Sequence, residues 1–190
     1  SVSKNYYDPE QMSAKLTVEK MDVVIQWDRT EFTYNGQPQA PKASFVGAGN
    51  VMFYPTVTGA RTDASVSQYT ATIKNTEYPN YDFDTERTYF TIAKAKYVMT
   101  GVSFISASLQ YNGDVQNLEV TGTLPKGEDD IEVKVSYSAG LTDVGSKLIT
   151  ATFHTDSTNY ETPEPKTATL TIIPRNVDVK WENLTLTYNG

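Results

Sequence analysis

Tyr34-Asn35-Gly36 is repeated as Tyr111-Asn112-Gly113 and again as Tyr188-Asn189-Gly190. From 34 to 111 and from 111 to 188 there are 77 positions each time. An interval held this closely marks a tandem array of one module, and an array has to be recognised before any single motif is interpreted. Asn-Gly also suits a two-residue type I′ turn, because both positions tolerate φ > 0. Each repeat is therefore expected to carry a β-hairpin at this point.

Working outward, the aromatic seven residues before each of these tyrosines is Trp27, Phe104 or Trp181. Phe32, Leu109 and Leu186 share one register between them. Upstream, Val23, Ile25 and Trp27 alternate, as do Val177, Val179 and Trp181, with Val102 and Phe104 in the middle copy. A spacing of two is that of a strand with one buried face.

Downstream of the turn, Gln37-Pro38-Gln39-Ala40-Pro41 and Thr123-Leu124-Pro125-Lys126-Gly127 read as loops, since proline removes a backbone donor. Beyond them the copies align at an offset of 80. Val51, Phe53 and Val57 then match Ile131, Val133 and Tyr137, and Thr70-Ala71-Thr72-Ile73 matches Thr150-Ala151-Thr152-Phe153. Thr62-Asp63 and Thr142-Asp143 occupy the turn between these strands. Each module closes on Asn-Tyr and an alternating strand: Asn80-Tyr81 before Phe90-Thr91-Ile92, and Asn159-Tyr160 before Leu170-Thr171-Ile172. Asn5-Tyr6 before Ala14-Lys15-Leu16-Thr17-Val18 reads as the tail of a further copy.

No window of 11 or more residues carries the helical period, and the Thr, Val and Tyr enrichment favours strands. The expected fold is all-β, as tandem Ig-like β-sandwich modules. A β-grasp-like sheet or a permuted folding unit is the alternative. The expected organisation is residues 1–20 as the closing segment of a preceding repeat, 21–95 and 96–174 as two repeats, and 175–190 as the opening strand of a following one. The boundaries hold no Gly/Ser linker, so neighbouring modules should nearly abut and form a semi-rigid rod.

Composition narrows the function. With 38% hydrophobic and 12% aromatic residues, 13 tyrosines among them, the 190-residue chain is too apolar for disorder. Cysteine is absent, so packing and sheet hydrogen bonds must hold the modules without disulfides. A formal net charge of -7 argues against nucleic-acid or anionic-membrane partners, which demand clustered Lys and Arg. No apolar run is long enough for membrane insertion, and Ser1 begins no signal peptide, so the chain reads as a piece of a longer protein.

These motifs resemble the tandem Ig-like repeats of bacterial, especially Gram-positive, cell-surface proteins and adhesins, most closely the MBG domains. The resemblance rests on the aromatic-ended opening strand, Tyr-Asn-Gly, the Thr-Ala-Thr strand, Asn-Tyr, and closing strands such as Ala168-Thr169-Leu170-Thr171-Ile172, and covers essentially the whole chain. It implies a secreted or wall-attached, extracellular protein whose modules form stalks or contribute to adhesion. The family supplies no universal binding residue to carry over.

Chemistry finds few handles. His154, the single histidine, follows Phe153 in an alternating strand and is replaced by Lys74 in the preceding copy, so a solvent-facing role is favoured over a catalytic base. Nucleophile and phosphate-loop motifs are missing, and neither an enzyme nor a cofactor is expected. Asp82, Asp84 and Glu86 alternate and could offer calcium some of its six to eight oxygens, against the plainer reading of solvated charge. Gly127-Glu128-Asp129-Asp130 is read as an acidic turn.

A Lys–Asn isopeptide bond from Lys20 or Lys94 to Asn75 or Asn159 is conceivable, but the residue types do not recur as a matched set. Trp27 and Trp181 belong to the apolar face. Tyr6, Tyr81 and Tyr160 are expected to pin a loop through their hydroxyls. Tyr54, Tyr78 and Tyr97 are less constrained, and Tyr54 and Tyr78 are the candidates for stacking on a glycan.

The functional expectation is a non-enzymatic stalk presenting another domain away from the cell. Alternatives are an adhesion module binding a glycan or a protein, and an accessory module of a surface glycoside hydrolase. Unpaired strands at 1–20 and 175–190 should recruit partners, end to end or by strand swapping, or be held by the adjacent module.

Overall fold

A computed structural model describes residues 4, 5, 10–182 and 185–190. Its regular structure is all-β apart from two one-turn 3-10 segments, Ala48–Asn50 and Asn75–Glu77. Contacts gather the chain into two compact units. The first runs up to Thr30 and adds Gln39–Ala60 and Gln68–Phe90; the second takes Glu31–Pro38, Arg61–Ser67 and the chain from Thr91 onward.

In the first unit β1 (Met21–Val23), β2 (Gln26–Trp27), β4 (Ala43–Val46), β5 (Met52–Phe53), β6 (Val57–Thr58), β7 (Tyr69–Ile73) and β8 (Tyr81–Phe83) surround one core. β1 runs parallel to β8, β4 pairs antiparallel with β2 and β5, and β7 pairs antiparallel with β6. β7 also pairs antiparallel with the start of β9 (Arg87–Ala93). Val23, Ile25, Ala43, Phe45 and Ile73 are buried together, with Trp27, Phe53, Tyr78, Tyr81 and Phe83 packed against them. Phe45 is the hub: Phe53 stacks on it with centroids 5.1 Å apart, and Tyr78 and Tyr81 meet it edge-on at the same distance. Alternation along 23, 25 and 27 thus delivers the apolar face that the sequence pattern requires.

In the second unit β3 (Glu31–Thr33) runs parallel to the end of β9. The remaining strands are β10 (Ala95–Lys96), β11 (Ala107–Gln110), β12 (Lys134–Tyr137), β13 (Gly145–His154), β14 (Tyr160–Glu161) and β15 (Lys166–Ile173). β11 is parallel to β15, β13 is antiparallel to β15 and β12, and β10 is parallel to β14. Leu118, Ile149, Ala168, Leu170 and Ile172 are buried, with Phe104 and Leu109 packed against them.

The repeat is visible in these pairings. β3 with β9 and β11 with β15 are the same parallel pair, and β7 with β9 and β13 with β15 the same antiparallel one. The bridge between Ser103 and Thr121 reproduces Gln26 opposite Ser44 at an offset of 77. The bridge between Lys126 and Glu132 reproduces Val46 opposite Met52 at an offset of 80. The three-residue insertion therefore falls between Thr121 and Lys126.

The expected hairpin at Tyr-Asn-Gly does not form. Asn35 and Asn112 both avoid φ > 0, and only Gly36 (φ 76) and Gly113 (φ 89) enter that region. The asparagine side chain instead accepts a backbone N–H two residues on, from Gln37 at 3.0 Å and Asp114 at 2.9 Å. That local bond competes with a type I′ turn. The tyrosine N–H is meanwhile held by the parallel neighbour, from Tyr34 to Ala93 O and from Tyr111 to Ile173 O, both 2.9 Å. The motif is a turn leaving a parallel strand.

The outer segments also depart from expectation. Ala14–Val18 forms no strand, with Leu16 and Val18 more than four-fifths exposed, and Val177, Val179 and Trp181 lie exposed outside any strand. A strand needs neighbouring backbone to bond. The counterparts of the first stretch have β7 or β13 beside them, and those of the last, in β1 and β2, have β8 and β4, whereas no described residue pairs with the outer copies. Leu186 and Tyr188 are exposed too, and Tyr6 lies outside the described residues.

Candidate functional site

A cluster of buried polar and aromatic side chains lies in the second unit, around Asn159 and Tyr160. Ser157 and Asn159 are the buried polar residues among the described ones. The Ser157 hydroxyl accepts the N–H groups of Asn159 and Tyr160, at 3.0 and 3.1 Å, and donates to the Asp129 carboxylate. Thus fixed, the Asn159 side chain accepts the Ala64 N–H at 2.8 Å and donates to Asp63 Oδ1 at 3.2 Å. Its backbone carbonyl accepts the Ala95 N–H at 2.9 Å, which starts β10 against β14.

Three tyrosines complete the cluster. Tyr97 stacks on Tyr160 with centroids 4.3 Å apart, and Tyr34 meets Tyr160 edge-on at 5.5 Å. The Tyr97 hydroxyl is anchored by Thr155 at 2.8 Å and donates to Ile131 O at 3.2 Å. Burial removes the Tyr34 hydroxyl from water, and Asp129, Tyr160, Asp63 and Glu128 lie near it. Its pKa is accordingly raised above the ordinary tyrosine value.

Tyr160 pins a loop as expected, accepting the Glu128 N–H at 3.0 Å. Tyr81 does the same for the Ala48 N–H at 3.2 Å. Each loop has a glycine immediately before the bonded residue. A Cβ at Gly127 would stand 2.5 Å from the Tyr160 ring, and one at Gly47 2.6 Å from the Tyr81 hydroxyl. The glycine, not the tyrosine alone, makes the close approach possible.

The other sequence candidates are dispersed. Asp82, Asp84 and Glu86 are exposed, and Asp84 accepts the Ile25 N–H at 2.9 Å. No three His, Cys, Asp or Glu residues among the described ones come together as a metal site. His154 is exposed, 2.8 Å from the Ser136 hydroxyl. Lys20 and Lys94 are exposed, the Asn75 amide donates to Tyr81 O, and the Asn159 amide is spent on Asp63.

Tyr78 and Tyr97 belong to packed aromatic clusters and present no open stacking face. Tyr54 does: it is 72% exposed and lines a cavity of about 240 Å³ together with Trp27, Gln26 and Lys42. The Trp27 indole N–H is buried with no hydrogen-bond partner among the described residues.

Sequence reasoning passed over Asp63 with Asn159 as a pair. Their separation of 96 positions leaves no local signal. The hint available was that both stand at fixed points of the repeat. No family model and no curated protein matches the chain.

Proposed function

We propose that this chain is a stretch of tandem Ig-like repeats, resembling the MBG type, that serves as a non-enzymatic, semi-rigid spacer in an extracellular bacterial surface protein. One observation carries the reading. Within the second unit, Tyr34, Asp63 and Ala64, which belong to the first sequence repeat, are fastened to Asn159 and Tyr160 of the second by two hydrogen bonds and a ring contact. The chain passes between the repeats at Lys94 with no slack, because Ala93 O and the Ala95 N–H are both bonded. A spacer needs successive modules held so that they do not hinge, and a buried asparagine that bonds through both its amide oxygen and its amide nitrogen does that at little cost in area.

Amide hydrogen exchange tests the reading. The N–H groups of Ala64 and Ala95 should exchange slowly, and Asn159→Ala should speed both while leaving Phe45 and Leu170 protected. Rapid exchange of Ala95 in the unmodified protein would mean a hinge and end the spacer reading. Tyr54 beside Trp27 supports a second reading, glycan adhesion. Glycan-array binding lost in Tyr54→Ala would replace a pure spacer with an adhesive one.

A further inference from the structure

Tyr111 occupies in the second repeat the position of Tyr34 in the first, yet the two differ in one respect. Their backbones make the same 2.9 Å bond to the closing strand, and their asparagines make the same local bond. Tyr34 is 6% exposed, and Tyr111 39%. The surface beside Tyr111 opens into a cavity of about 680 Å³, shared with Val144 and the exposed stretch from Pro174 to Asp178. Val144 and Asp143 are the counterparts of Ala64 and Asp63 at the offset of 80. The surface that Asn159 and Tyr160 cover in one repeat is thus repeated, uncovered, in the next.

The matching donor is also present. Asn80 stands before Tyr81 as Asn159 stands before Tyr160. Each tyrosine pins the equivalent loop, and each asparagine carbonyl accepts the N–H that opens a short parallel strand, from Met21 at 3.0 Å and from Ala95 at 2.9 Å. The Asn80 side chain is exposed, as are Asp143 and Val144.

We infer that the surface formed by Tyr111, Asp143 and Val144 binds the Asn80-Tyr81 corner of a second copy of this chain. The bonds would repeat those already made once: Val144 N–H to the Asn80 side-chain oxygen, the Asn80 amide to Asp143, and the Tyr111 ring edge-on to Tyr81. Charge favours it, because Ala48 and Gly49 stand where Glu128 and Asp129 crowd the existing contact. The chain path allows it as well. One copy's Ile173 and the other's Met21 take the places of Ala93 and Ala95, and the exposed stretches 174–182 and 10–20 leave from that point. Donor and acceptor are different surfaces, so the contact is heterologous and grows head to tail without closing.

Sedimentation velocity over micromolar to near-millimolar concentrations tests this. The unmodified chain should show an average mass that climbs past that of a dimer. Asp143→Lys removes the acceptor and Asn80→Lys the donor, so each variant alone should stay monomeric. An equimolar mixture of the two should reach the mass of two chains and stop there, which also shows that both variants fold. A monomer at every concentration, or self-association unchanged in both variants, would overturn the inference. It rests on the spacer reading only in borrowing the contact. Slow Ala95 exchange with no self-association removes this inference alone, whereas rapid Ala95 exchange removes the spacer.

Discussion

At the scale of single residues, Asn159 carries the largest consequence per atom. Its side chain bonds the Ala64 N–H and Asp63, and the half-buried Ala64 N–H would lose its acceptor in Asn159→Ala. Asp63 is exposed, so only the Ala64 N–H is left without water or partner, and the variant is expected to lose about 1–2 kcal/mol in chemical denaturation. Asn80→Ala, whose side chain is exposed, should lose less than about 0.5 kcal/mol at low concentration, where self-association is absent. Tyr34 predicts a pH dependence of definite sign. Its pKa in the folded state is raised by burial and nearby carboxylates, so the folded protein holds the proton more tightly than the unfolded chain. Stability from this residue is complete below the ordinary tyrosine value of about 10 and falls as pH rises through that value toward the folded one. Thermal melts from neutral pH upward should show a steeper alkaline decline in the unmodified protein than in Tyr34→Phe; parallel curves would show that folding leaves the Tyr34 pKa unchanged.

At the scale of elements, alternation was the legible part. Val23, Ile25 and Trp27 face the first core as their spacing of two demands, and Phe104 and Leu109 face the second. Loop pinning by Tyr81 and Tyr160 was legible too, because Asn-Tyr returns at a fixed place in each copy. The turn at Tyr-Asn-Gly was not. Asn-Gly favours a hairpin only when the following strand is the one that pairs, and here β4 pairs with β2 while β3 pairs with distant β9. Which strands become neighbours depends on contacts some 60 residues apart, as between Phe32 and Ile92, and local composition holds no record of them. The Asp63–Asn159 pair was hidden for the same reason. The loop glycines offer a test at this scale. Gly127→Ala places a Cβ 2.5 Å from the Tyr160 ring and 2.6 Å from Asp129, so either the loop or the ring must shift. A loss of about 1–3 kcal/mol is expected, as for overpacking elsewhere. Adding Tyr160→Phe, which removes the hydroxyl bond but not the ring, should not relieve it, whereas Tyr160→Ala in the same background should recover part of the loss.

At the scale of the whole molecule, the contrast between packed strands and exposed outer segments decides how the chain should behave. Apolar side chains at Leu16, Val18, Val177, Val179 and Trp181 are exposed although their spacing is that of buried strands in the inner copies. These stretches are exposed and lie outside any strand, so little opposes their binding in an extended form to a protease. Lys15, Lys20, Arg175 and Lys180 should then be cut by trypsin well before Lys94 or Lys147, which lie beside bonded backbone or within β13. The surviving fragment should run from Met21 to Arg175, keep both cores, and unfold at a denaturant midpoint close to that of the intact chain, since the lost residues contribute little buried area. Mass spectrometry of a time course reads the order of cuts directly. Equal rates at Lys20 and Lys94 would mean that the joint opens as readily as the outer segments. Protection of Lys15 and Lys180 that grows with protein concentration would mean that these segments pair between molecules, in which case truncation to Met21–Arg175 should abolish association instead of leaving the Tyr111 surface to sustain it.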